Sequence, residues 1–209
     1  KPMIKEHVVI LANGDYPTHP TPLKKINGAG CIICCDGALN SMIENDIEPH
    51  IIIGDLDSIG QSLKSKYDDR TIHCPYQDEN DLRKAIRWAE GEKIREATIL
   101  GATGKRDDHS MANIFTLLQF PTSLKCTLIT DYGCFSMIEG TSIFQSFTGQ
   151  QVSLFSASPD IEITSTNLKY NLISSNLNNL YCGSLNESIS EKFSLNISHG
   201  KILVYQVFA

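Results

Sequence analysis

Two patterns of apolar and polar positions divide the chain. Up to about residue 130, short apolar runs recur at 7–11, 31–35, 51–53, 71–73, 97–100 and 125–130. Several are continuous and β-branched, Ile51-Ile52-Ile53 most clearly. That is the pattern of a strand covered on both faces. Between them the period changes. Leu82, Ala85, Ile86 and Ala89 fall at i, i+3, i+4 and i+7, and Met111, Ile114, Phe115 and Leu118 do the same. Each set predicts a helix with one core face, Met111 and Trp88 packing in the core. Asn80 or Asp78 is placed to cap the first and Asp108 the second. Alternation of this kind predicts a parallel sheet covered by helices.

After Asp131 the helical period disappears. Apolar runs at 134–138, 142–147, 152–156, 161–164, 168–173, 189–197 and 202–208 are separated by Gly, Asn and Ser clusters. Phe193, Leu195 and Ile197 alternate as a half-buried strand does. Short strands at this spacing predict a sandwich or barrel. The expectation is an α/β domain over 1–133 followed by an all-β sandwich over 134–209.

Composition narrows the function classes. The chain has 209 residues, 41% of them hydrophobic, and a formal charge of −6. That charge argues against a general nucleic-acid binder, which needs a basic face. No apolar run approaches the roughly 20 residues that span a bilayer. The apolar stretch His7–Ala12 is short and runs into Asn13-Gly14, unlike a signal peptide. Seven cysteines cannot all pair internally. Cys31, Cys34 and Cys35 lie in an apolar run and read as small buried hydrophobes, because no second Cys or His cluster supports zinc. A cytoplasmic protein with reduced thiols is expected.

The candidate chemistry sits where apolar runs end. Gly54-Asp55-Leu56-Asp57 follows the Ile51 strand. On extended backbone Asp55 and Asp57 share a face, and two close carboxylates call for a cation such as Mg2+. The run at 31–35 ends in Asp36-Gly37, that at 71–74 leads to Gln77-Asp78-Glu79-Asn80-Asp81, and that at 97–100 ends in a turn reaching His109. In an open parallel sheet these turns emerge on one edge, where ligands bind. The segment Gly101-Ala102-Thr103-Gly104-Lys105-Arg106-Asp107-Asp108-His109 combines backbone that an anion can approach with two cations at a helix N-terminus. It is not a Walker A loop, since Arg106 follows Gly104-Lys105. His109 has two readings, a proton shuttle or a structural partner at the helix start.

Taken in order, these segments resemble the thiamine pyrophosphokinase family. Asp36-Gly37-x-x-Asn40 is similar to its A-D-G-G-A-N segment, and Gly54-Asp55-Leu56-Asp57-Ser58-Ile59 matches G-D-x-D-S-I without change. Gln77-Asp78-Glu79-Asn80-Asp81 resembles Q-D-x-T-D, with Asn80 for Thr. Gly104-Lys105-Arg106-Asp107-Asp108-His109 resembles G-G-R-x-D-H, with Lys105 for Gly. Later, Asn167-Leu168-Lys169-Tyr170-Asn171-Leu172 resembles G-L-K-Y-P-L, and Gly183-Ser184-Leu185-Asn186-Glu187 resembles G-T-S-N-E. Leu185 stands where the family has a Ser that helps form the thiamine pocket.

The resemblance implies Mg2+-dependent pyrophosphoryl transfer from ATP to thiamine, giving thiamine diphosphate and AMP. It implies a homodimer with sites shared between subunits. Asp55, Asp57 and Asp81, with Asp36, become the metal ligands, and Arg106 and Lys105 neutralise phosphate oxygens. Asp81 or Asp108 accepts or orients the hydroxyl proton. Gly37, Asn40, Gln77, Gly104 and His109 join the nucleotide-binding set, and Ser184 and Asn186 the thiamine side. Two other classes fit the residues alone: a transferase for another heterocyclic alcohol, and a non-catalytic nucleotide or thiamine diphosphate sensor.

Overall fold

The structure is a computed structural model that describes residues 7–209; the first six residues of the expected first domain lie outside the described residues. Contacts divide the chain into two units. One runs to Asp131 without 117–119, and the other comprises 117–119 and 132–209.

In the first unit, strand and helix alternate: β1 (Val8–Leu11), α1 (Pro20–Asn27), β2 (Cys31–Cys35), α2 (Leu39–Glu44), β3 (Ile51–Gly54), α3 (Gln61–Lys66), β4 (Thr71–His73), α4 (Asp81–Gly91), β5 (Glu96–Leu100), α5 (Asp107–Gln119) and β6 (Lys125–Ile129). Every residue of β1, β2 and β3 is buried, as a sheet covered on both faces requires. The strands pair in parallel in the order β6-β5-β1-β2-β3-β4. The chain builds outward from β1 to β4, then returns to place β5 on the other side of β1. The β1–β5 junction is therefore the topological switch point, where a crevice opens beyond the strand ends.

Two helix expectations need correction. Asp108 does not cap α5; Arg106 occupies the cap position without a side-chain cap bond, and Asp108 lies in the first turn. Met111 is 57% exposed, whereas Asn113, Thr116, Leu117 and Leu118 are buried. The buried face of α5 is partly polar, so an apolar count misplaces it. Its polar members are satisfied: Asn113 Nδ2 donates to the Ala102 carbonyl at 2.9 Å, and Thr116 Oγ1 to that of Ala112 at 2.8 Å. Trp88 is half-buried on α4. Helix α1 has no long apolar period to announce it. It is set instead by Pro20 at its start, where no N–H is needed, and by His19, whose Nδ1 accepts from Thr21 N–H at 3.2 Å.

The second unit is antiparallel. Its strands are β7 (Gly133–Ile138), β8 (Thr141–Gln145), β9 (Gln151–Ser156), β10 (Glu162–Thr166), β11 (Ser175–Asn176), β12 (Asn186–Glu187), β13 (Lys192–Ile197) and β14 (Ile202–Val207). They form the layers β12-β9-β14-β7 and β11-β10-β13-β8. Alternate residues of β9 and β13 face a core that includes Val152, Leu154, Phe193 and Leu195. Phe144 stacks on Phe193 with centroids 4.8 Å apart. The fold is thus a parallel α/β unit followed by a β-sandwich. The run at 168–173 is not a strand and makes one bridge, Leu168 to Ser188. Local side-chain bonds compete there with a ladder: Ser165 Oγ accepts from Leu172 N–H at 2.8 Å and donates to Asn171 Oδ1 at 3.3 Å.

Candidate active site

Strand ends bring the carboxylates together. Asp36 follows β2 and is buried, although charged. It lies flat against the end of β3, because a Cβ at Gly54 would overlap its carboxyl group. Asp36 Oδ2 accepts from Leu56 N–H at 2.7 Å. That bond holds Leu56 at φ 68°, which swings Asp55 and Asp57 around the turn. Ligand oxygens of Asp36, Asp55 and Asp57 all lie within 4.8 Å of one another. Asp55 Oδ1 accepts from Asp57 N–H at 3.2 Å, and its Oδ2 from Gln77 Nε2 at 2.8 Å. The Gln77 amide, then the Asp57 N–H, holds the Asp55 carboxyl down at about 2. Asp36 behaves oppositely. Burial first, then the charge of Asp81 and, more weakly, of Asp55, pushes it up to about 6 against the Leu56 hydrogen bond. Three carboxylates whose oxygens lie this close form a candidate cation site.

Asp81 opens α4 outside that trio. Asn80 caps the helix, its Oδ1 accepting from Arg83 N–H at 3.0 Å. Asp81 Oδ1 accepts from Lys84 Nζ at 3.0 Å, and the Lys84 side chain is 5% exposed.

The basic turn lies across the switch point. Gly101, Gly104 and Lys105 have φ of 61°, 84° and 57°. Gly104 also leaves room for the Asp15 carboxyl, which a Cβ would strike. The loops after β1 and β5 are laced together, with Asp15 N–H donating to the Thr103 carbonyl at 2.8 Å and Lys105 Nζ to Asn13 Oδ1 at 3.1 Å. Arg106 forks onto Asp108, Nε to Oδ1 at 3.1 Å and Nη2 to Oδ2 at 2.6 Å. Both side chains remain more than 60% exposed.

Between these walls is a cleft of about 450 Å³ lined by, among others, Asn13, Asp55, Asp81, Lys84, Lys105 and Arg106. Gln77, Gly104 and His109 also line it. Gly37 and Asn40 do not line it; Asn40 is exposed on the first turn of α2. Ser184 and Asn186 belong to the second unit. Asn186 is buried and clamps the Tyr170 backbone, accepting from its N–H at 3.1 Å and donating to its carbonyl at 2.8 Å. Lys84, Asn13 and Asn113 are cleft residues that sequence reasoning missed. Lys84 had a signal: a lysine three residues after a candidate acid and wedged between Leu82 and Ala85.

The description "Thiamin pyrophosphokinase, catalytic domain" matches residues 23–129, and "Thiamin pyrophosphokinase, substrate-binding domain" matches 133–205. The chain belongs to the thiamin pyrophosphokinase family. Thiamin pyrophosphokinase 1 of Caenorhabditis elegans is 32% identical over 114 residues, 50% of this chain. That match spans 46% of the nematode protein, less than half its length. Thiamine pyrophosphokinase 1 of Oryza sativa subsp. japonica is 26% identical over 207 residues, 84% of this chain and 77% of the rice protein. The fold is that of the thiamine pyrophosphokinase crystal structure from Bacillus subtilis, with a TM-score of 0.79 at 22% identity over 96% of this chain and 98% of that one. The Candida albicans structure gives 0.78 at 19% identity over 97% and 90%. In this thiamin pyrophosphokinase relative the whole cleft lies in the part matched by the catalytic-domain description, apart from Ala12, Asn13 and Gly14, which precede the match.

Proposed function

We propose that this protein transfers a pyrophosphoryl group from Mg·ATP to thiamine, releasing thiamine diphosphate and AMP. One juxtaposition carries the reading: Asp55, which lines the cleft and is grouped with Asp36 and Asp57, stands with Asp81 across from the Lys105–Arg106 turn, at the switch point of a parallel sheet. The donor set fits Mg2+, being all carboxylate oxygen with no nitrogen or sulfur. Asp36, Asp55 and Asp57 would hold the ion, which would neutralise triphosphate oxygens. Asp81, expected as a further ligand, is engaged by Lys84.

The thiamine hydroxyl oxygen attacks the β-phosphorus, the bond from that phosphorus to the α–β bridging oxygen breaks, and AMP leaves. Catalysis of such a step is positioning and charge neutralisation. Lys105 and Arg106 supply cations at the N-terminus of α5, so Arg106 exchanges Asp108 for phosphate. Asp81 or Asp108 receives or orients the hydroxyl proton: Asp81 lines the cleft, and Asp108 is freed when Arg106 turns to phosphate.

Thiamine recognition is assigned to the second unit, whose matched description is substrate-binding. Its exposed Tyr170, Tyr181 and Leu185 offer apolar surface for a heterocycle and for a second copy of the chain. A homodimer with shared sites, which the family resemblance implies, extends that assignment. A reducing, cytoplasmic setting suits the seven unpaired cysteines, and no described helix is long and apolar enough to cross a membrane. The test is nucleotide product analysis with Mg·ATP and thiamine. AMP with thiamine diphosphate is expected. ADP as product, or activity only with other heterocyclic alcohols, would replace the proposed reaction, and nucleotide binding without turnover would favour a sensor.

A further inference from the structure

Among the described residues, Asp36 and Lys84 are the charged side chains that are buried. They belong to one electrostatic group. Lys84 Nζ donates to Asp81 Oδ1 at 3.0 Å, lines the cleft with Asp55, and feels the charges of Asp55 and Asp36. Burial opposes charge on Lys84, but the hydrogen bond and charge of Asp81, with those of Asp55 and Asp36, outweigh it and raise the ammonium above its ordinary range. An ammonium confined beside the carboxylates of Asp81, Asp55 and Asp36 competes with any other cation for the same field.

We propose that Lys84 is the built-in counter-cation of the metal site: it occupies Asp81 and weakens the cluster's hold on a free divalent ion, so that the metal is taken up with the nucleotide rather than kept as a tight resident. This rests on the Mg2+ reading above. A cluster of Asp36, Asp55, Asp57 and Asp81 without Lys84 would bind a lone hard cation more tightly, for two reasons. A unit of repulsive charge is gone, and Asp81 is released as a further oxygen ligand. Lys84 is thus a positioning residue for Asp81 and a tuner of affinity. Its removal has opposite effects on metal binding and on the metal-free fold, because unpaired carboxylates repel where no ion sits between them.

Free Mn2+ measured by electron paramagnetic resonance, without nucleotide, reads this directly. Wild type should bind weakly, Lys84→Met about tenfold more tightly, and Lys84→Arg close to wild type, a tenfold change being ordinary for one unit charge a few ångströms away in a partly buried site. In EDTA the Met variant should melt lower than wild type, and Mg2+ should raise its melting temperature by more. A Met variant that melts lower but binds Mn2+ no more tightly would reduce Lys84 to a packing residue. An Arg variant that binds as tightly as Met would remove charge as the cause. If Lys84→Met fails to fold, Lys84→Gln, neutral but able to donate to Asp81, should still bind Mn2+ more tightly than wild type through the lost charge alone. AMP formation by wild type separates the two readings. Turnover with unchanged Mn2+ affinity in the variants sinks the role of Lys84 alone; neither turnover nor Mn2+ binding in wild type sinks both.

Discussion

Asn80 Nδ2 donates to Asn113 Oδ1 at 3.0 Å, and that contact ties the acidic wall of the cleft to the basic one. Asn80 Oδ1 caps α4 through Arg83 N–H, while Asn113 Nδ2 donates to the Ala102 carbonyl in the loop after β5. Two amides thereby join the first turn of α4, the middle of α5 and the turn that carries Lys105 and Arg106. The family segment has Thr at position 80. A Thr hydroxyl can cap a helix but lacks the second arm that reaches Asn113.

Substitutions along this strut should follow that order. Asn80→Thr keeps the cap and loses one neutral hydrogen bond, at a cost of about 1 kcal/mol. Asn80→Ala loses cap and strut, about 2 kcal/mol. Asn113→Leu leaves Asn80 Nδ2 and the Ala102 carbonyl without that partner and costs about 2–3 kcal/mol. Urea unfolding measures all three. Equal stability of the Thr and Ala variants would show that the cap bond contributes nothing.

Asp57 is exposed and has little structural work to do: its carboxylate accepts from its neighbour Ser58 Oγ at 3.1 Å and lies on the exposed turn. Asp57→Asn should therefore leave the melting temperature within error and cut turnover at least a hundredfold, about 2.7 kcal/mol in the transition state. Near-normal activity at limiting Mg2+ would remove Asp57 from the metal site.

Arg106→Ala should lower kcat more than it raises the KM for ATP, because the developing charge is greatest in the transition state. Arg106→Lys should restore only part, since an ammonium cannot reproduce the planar fork now spent on Asp108. A change confined to KM would make Arg106 a ground-state clamp.

The pH dependence of the metal-free protein follows from Asp36. Its carboxyl sits at about 6 in the fold, above the ordinary value of about 3.9. Between those values the folded state holds the extra proton, so stability falls as pH rises from about 4 through 6. In EDTA, the melting temperature of wild type should drop across that window relative to Asp36→Asn, and Mg2+ should cancel the drop. Asp55, held at about 2, contributes in the other sense, and that stability is lost below pH 4. Parallel melting curves for wild type and Asp36→Asn from pH 4 to 7 would contradict the assignment to Asp36.

Much of this was legible in the chain. Continuous Ile and Val runs specify strands buried on both faces, and strands read in order imply turns on one edge. Hence Asp36, Asp55, Asp57 and Asp81 could be grouped from the sequence; oxygens of the first three lie within 4.8 Å of one another, and Asp81 stands outside that trio, bonded to Lys84. What was not legible is where polar groups do the work of a core. Asn113 and Thr116 replace apolar residues on the buried face of α5, and Met111 faces out. Lys84 sits among Leu82 and Ala85 as a charge that only a spatial partner makes tolerable. The turn ending at Leu185 depends on a positive φ of 61°, which nothing in a leucine foretells.

Leu185 also supplies the cleanest test of the shared site. It is 76% exposed, and its N–H donates to Ser153 Oγ at 3.2 Å, so the side chain is free of the fold while the backbone is fixed. Asn186, next to it, is unsuitable as a probe, because its amide holds Tyr170 at both N–H and carbonyl and its loss would disturb the loop. Restoring the family's hydroxyl with Leu185→Ser should add one hydrogen bond to thiamine, about 0.5–1.5 kcal/mol. That lowers the KM for thiamine by up to about tenfold and leaves that for ATP nearly unchanged. Leu185→Asp should abolish thiamine use and keep the fold. Mixed dimers of Leu185→Asp and Asp57→Asn subunits then decide the architecture. If each site takes its carboxylates from one chain and its thiamine surface from the other, one of the two sites in a mixed dimer is intact, and about half of the wild-type activity per mixed dimer returns. If proven subunit exchange returns none, each site is built within a single chain.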